Sequence, residues 1–165
     1  MTSRSNDSRP RPFAWKVSLI LALCPALCGE GAPQAQPPRI TFPELLTLSA
    51  SGIRPTVRLR ELSGHRVRMA GFMAKMEIAP KGGFYLTPRP VSCDEEGGGT
   101  ADLPPGSVYV VVRSAAGQEI PYSPRALEVS GVLEVGPRQE EDQRVTAIRL
   151  LLDRPQDLLG ASPKP

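Results

Sequence analysis

The residues with the most chemical potential lie in one polar stretch. Cys93, Asp94, Glu95 and Glu96 are consecutive, and Gly97, Gly98 and Gly99 follow them. A thiolate beside carboxylates could hold a metal ion, which makes Cys93, Asp94 and Glu95 candidate ligands. Ligand count argues the other way. Zinc sites gather several Cys or His side chains, and beyond residue 28 the chain offers one cysteine, Cys93, and one histidine, His65. The neighbouring carboxylates would also raise the thiol pKa and blunt its reactivity. The competing reading is a solvated acidic loop with a partly buried cysteine. His65 could act as a base, but nothing in the sequence pairs it with a nucleophile. The glycine run lacks the Lys-Ser/Thr and helix start of a phosphate loop. No catalytic constellation and no cofactor motif emerges, so the expectation is a non-enzymatic protein with no cofactor.

Arginines form the second candidate group. Arg58, Arg60, Arg66 and Arg68, with Arg54 just before them, could contact phosphate, lipid headgroups or an acidic partner. An oligonucleotide would also need aromatic faces to stack on. Phe72, Phe84, Tyr85, Tyr109 and Tyr122 are available, and some of these must fill the core. A solvated edge is the alternative. The formal net charge of +3 does not decide the matter, because its excess lies early in the chain. Residues 1–32 hold four basic and two acidic side chains, whereas residues 33–165 hold sixteen and fifteen. A nucleic-acid binder shows a concentrated basic footprint, so the balance argues against that partner. The partner stays unknown, with another envelope protein as one option.

The start of the chain reads as a secretory signal over residues 1–32. A basic segment precedes the apolar run VSLILALCPAL (17–27), and small and polar residues follow. The run is shorter than the ~20 apolar residues a spanning helix requires. Cys24 and Cys28 raise lipidation as a second route to the envelope, although each follows leucine where a lipobox wants a small residue. Membrane contact is thus expected only through the leader or a lipid anchor. Removal of the leader would leave Cys93 as the only thiol. Residues 33–38 are a proline-rich linker.

The elements that position these residues come next. In residues 39–50 (RITFPELLTLSA), Thr41, Pro43 and Glu44 form a helix-start pattern, so a short N-terminal helix is expected. Residues 53–62 alternate in part and read as an extended edge. Residues 65–78 (HRVRMAGFMAKMEI) carry the longest strand pattern, with Val67, Met69, Gly71 and Met73 on one face. Gly71 would allow a bulge or sharp coil. Strands then follow at Phe84–Leu86, at 107–113, at 126–135 and at 144–152, with residues 136–142 as a charged hairpin loop. The stretch between Pro88 and Ser107 is a long connection, and residues 154–165 are a tail. Short strands separated by turns predict a mostly β fold. The reading is a small five-stranded OB-like antiparallel barrel over residues 39–153, with a short N-terminal helix.

One run of residues resembles a known family. LSGHRVRMAGFM (62–73) is similar to the opening strand of secreted bacterial proteins grouped as domain-of-unknown-function family 3299. Its pattern there is roughly L-x-G-K-x-V-R-I-x-G-F. A Phe–Leu strand ending in proline (Phe84 to Pro88), a cysteine loop (Cys93) and prolines leading into V-Y-V (Pro104 to Val110) continue the likeness. The resemblance implies an exported OB-like domain of the bacterial periplasm or cell envelope, with Cys93 as the matching cysteine. The family's histidine after that cysteine is replaced here by Asp94, Glu95 and Glu96. No activity transfers with the resemblance. The expected role is a binding or accessory module, with a metal-handling protein and a polyanion binder as alternatives.

Overall fold

The computed structural model describes residues 36–94, 99–140 and 142–152, all within one unit, Ala35–Pro165. The expected secretory signal, the expected lipidation cysteines, Glu95 and Glu96, and the tail lie outside the described residues.

The fold is mostly β, and one five-stranded sheet organises it. Its strands are β3 (Arg66–Met73), β5 (Gly83–Thr87), β7 (Val108–Val112), β8 (Ala126–Gln139) and β9 (Val145–Leu152). Pairing runs β3–β5–β7–β9–β8, and β8 then pairs with β3, so the ring of hydrogen bonds closes. The sheet is mixed, not antiparallel as expected. β7 and β9 run parallel, with Val110 opposite Leu150, while the other four pairings are antiparallel. Parity is the reason. Strand direction must alternate around an all-antiparallel ring, and an odd number of strands cannot do so.

Alternation sends one side of every strand inward. Val67, Met69 and Met73 of β3 join Phe84, Leu86, Val108, Val110, Val112, Leu127, Val129, Leu133, Ile148, Leu150 and Leu152 in one buried cluster. Gly71 sits where β3 passes from β8 to β5, with Phe72 pairing both Ala126 and Thr87. A Cβ there would fall 2.7 Å from the Thr87 carbonyl and 2.9 Å from both Leu86 and Phe42. The glycine therefore permits close approach at the crossing.

The N-terminal helix is not formed. Thr41 donates from its backbone N and its Oγ1 to Glu44 at 2.8 and 2.6 Å, so the start signal operates. It yields only a three-residue 3-10 turn, Phe42–Glu44. Leu45 is fully buried, and the chain then makes a hairpin of β1 (Leu46–Ser49) and β2 (Gly52–Pro55). Gly52, at φ +102°, supplies the turn that a helix reading overlooks. The expected extended edge over residues 53–62 is formed only over 53–55, within β2. After β2, Thr56 caps α1 (Val57–Glu61), its Oγ1 accepting from the Leu59 backbone N at 3.1 Å. Leu59 is the buried residue of α1 and joins the core cluster.

Two short strands, β4 (Lys75–Met76) and β6 (Ser92–Cys93), pair in parallel beside the main sheet. β8 runs four residues past the expected end at 135, through a register shift between Val135 and Arg138. The charged hairpin loop is correspondingly shorter and begins after Gln139.

Candidate functional site

Cys93 lies in β6, opposite Met76 of β4, and is 3% exposed. Its carbonyl accepts from the Glu77 backbone N at 3.1 Å. Burial pushes the thiol pKa up, and Asp102 and Asp94 push it further in the same direction. A thiol held protonated is a weak ligand and a poor nucleophile. Asp94 is exposed, and its carbonyl accepts from Gly99 N at 2.8 Å. Among the described residues no three Cys, His, Asp or Glu side chains converge as a metal cage would need. Glu95, the third candidate ligand, falls outside them. His65 is exposed, with Nδ1 3.2 Å from the Ser63 carbonyl.

The arginines divide between two elements. Arg58 and Arg60 are on α1, and Arg58 pairs with Glu44 at 3.1 Å. Arg66 and Arg68 lie two residues apart on the outer side of β3, and Arg68 pairs with Glu128 of β8 at 3.3 Å. Arg58 and Arg68 thus each contact a carboxylate of the same chain, and both pairs are at least partly exposed.

A different group of side chains is assembled on the outside of the closed sheet. Register places Tyr85 of β5 opposite Tyr109 of β7, Tyr109 opposite Arg149 of β9, and Arg149 opposite Glu134 of β8. The four form one cross-strand row over four strands. The two tyrosine rings lie 5.1 Å apart, tilted by 49°. The Tyr109 phenol lies over Gly83, where a Cβ would stand 2.8 Å from its oxygen.

Arg149 is 5% exposed although it sits on the outer side. Its Nη1 is 3.1 Å from Glu134 and its Nε 3.1 Å from Glu140. Both carboxylates stand off the N–H axes, so these contacts are ionic and not aligned hydrogen bonds. Thr146 Oγ1 donates to Glu140 at 2.6 Å, and Arg144 Nε meets Asp142 at 3.1 Å. Burial raises the Tyr85 pKa, with Arg144 acting against it through charge and a hydrogen bond. Tyr109 is pushed up to about 12, first by burial and then by Asp142 and Glu140.

Beside this row opens a cleft of about 640 Å3. Tyr109, Val111 and Arg149 lie along it, the 78–82 turn borders it, and Arg113, Arg138 and Arg144 reach it. Its described lining holds five cations (Lys81, Arg113, Arg138, Arg144, Arg149) and two carboxylates (Glu140, Asp142). Of these cations, Arg138 and Arg149 contact Glu134, Arg149 also contacts Glu140, and Arg144 contacts Asp142. Sequence reasoning missed this site because its members are distant in the chain. Arg149 carried a signal: a charge between Ile148 and Leu150 in an apolar strand must face outward or find partners.

A scan against protein-family models and searches of curated proteins and solved structures each find no match to this chain.

Proposed function

We propose that the protein is an exported, non-enzymatic binding or accessory module of the bacterial cell envelope, built on an OB-like barrel related to domain-of-unknown-function family 3299. The cleft beside Tyr109 and Arg149 carries this reading. Its size falls in the range of small-ligand sites, roughly 300–1,000 Å3. Renumbered along the closed ring, the five strands run 1-2-3-5-4. OB folds bind ligands on the face of strands 2 and 3, between the 1–2 and 4–5 connections. Here β5 and β7 are strands 2 and 3, while residues 78–82 and 140–144 belong to those two connections. Lys81 and Arg113, lining cations outside the ion pairs of Arg138, Arg144 and Arg149, favour an anionic ligand, and Ile78, Pro80 and Val111 supply apolar wall for its body. This moves the polyanion reading from the arginines of α1 and β3 to the cleft.

Amide chemical-shift mapping tests the reading on the full chain, with inorganic phosphate, citrate and a heparin tetrasaccharide as probes. At least one probe shifts amides in 78–82, 109–116 and 138–149, and Lys81→Ala/Arg113→Ala weakens that response severalfold. If no probe moves those amides, the cleft is not an anion site.

A further inference from the structure

We infer that the β1–β2 hairpin is an anchor for an anionic lipid surface, independent of the cleft. Three of the large apolar side chains left exposed lie within ten residues: Leu48 at 82%, Ile53 at 57% and Val57 at 62%. Singly scattered surface hydrophobics are ordinary. Leu48 and Ile53, however, are Cα partners across β1 and β2, so they project side by side from one face of the ribbon. That face also carries Leu46 and Pro55, the next pair in register. Leu46 packs on the main core cluster. The apolar stripe thus starts at the core and continues past it into solvent. The opposite face shows Thr47 and Arg54.

Charge selects the occupant. Residues 39–68 contain six arginines and two glutamates, whereas residues 69–165 contain ten basic and thirteen acidic side chains. The positive charge of the body is therefore concentrated in the segment that bears the apolar stripe. Arg58 and Arg60, on α1 directly after the hairpin, are exposed, Arg58 beside Glu44. A second copy of the chain would bring like charges together. A stable protein interface needs on the order of 1,200 Å2, and three side chains supply only a few hundred. An anionic bilayer imposes no such minimum. A few apolar side chains enter the headgroup boundary, flanking arginines pair with lipid phosphates, and the contributions accumulate.

Vesicle co-sedimentation of the full chain tests this, because the leader is common to every variant compared. Wild type binds phosphatidylglycerol-containing vesicles more tightly than pure phosphatidylcholine vesicles. Leu48→Ser/Ile53→Ser lowers that partitioning about tenfold or more. Arg58→Gln/Arg60→Gln lowers it severalfold on the anionic vesicles only. All four side chains are exposed, so thermal midpoints stay at the wild-type value. Equal wild-type binding to both vesicle types overturns the inference, as does unchanged binding of the Leu48/Ile53 variant. Binding to poly-glutamate without binding to anionic vesicles also overturns it, and assigns the hairpin to an acidic protein surface instead.

Discussion

At the scale of single residues, the outer row makes the sharpest claims. Tyr109 has its ionisation moved from the ordinary 10.0 up to about 12, chiefly by burial. The folded state therefore holds this proton more tightly than the unfolded chain. Stability from this group is complete below pH 10 and is lost as pH rises from 10 toward 12. The loss amounts to up to about 3 kcal/mol. Urea unfolding across that window shows a steeper alkaline decline in wild type than in Tyr109→Phe, and identical slopes would contradict the burial argument. Gly83 is the second case. A methyl group there lies 2.5 Å from the Val110 carbonyl and 2.8 Å from the Tyr109 oxygen. Backbone cannot yield as a side-chain tip can, so Gly83→Ala costs about 2–4 kcal/mol and displaces the phenol. The measurement is the denaturation midpoint together with near-ultraviolet dichroism of the tyrosines.

At the scale of elements, legibility depended on how much a segment's neighbours decide. β3 and β8 were readable because their apolar residues alternate, and β5, β7 and β9 because short apolar runs stand between turn residues. The segment before β3 was not. Leu45, Leu46 and Leu48 suit a helix face or a strand equally, and the outcome turned on Gly52 and on a buried socket for Leu45. Cys93 was legible as the residue of note and as partly buried, while its near-complete burial is decided by the β4–β6 pairing. The β1–β2 hairpin is a two-stranded ribbon held at its base, where Thr56 N donates to the Leu45 carbonyl at 3.0 Å. Such ribbons are marginal in water on their own. Its amides therefore exchange at least about a hundredfold faster than those of β7 and β9, which are paired on both sides. Hydrogen exchange read by mass spectrometry decides this, and equal protection would mean that the hairpin is held by more than its base.

At the scale of the whole molecule, ring parity and redox independence belong together. Five strands can close only with one parallel pair, and β9 provides it by returning from β8 to lie beside β7. No disulfide among the described residues holds this arrangement. Among the described residues, the closed sheet and its N-terminal extension bury seventeen apolar side chains in one cluster, and Cys93 is free. A domain of this size can live on its core alone, whereas much smaller exported domains rely on disulfides. The full chain therefore unfolds at the same midpoint, within about 1 °C, with and without reductant. Iodoacetamide at mildly alkaline pH leaves Cys93 unmodified in the native state, because the thiol is both buried and held protonated, and labels it readily in denaturant. A midpoint that drops several degrees on reduction would show that a disulfide stabilises the fold after all. Rapid native labelling at an unchanged midpoint would instead show that β6 opens away from β4 while the main sheet stays closed.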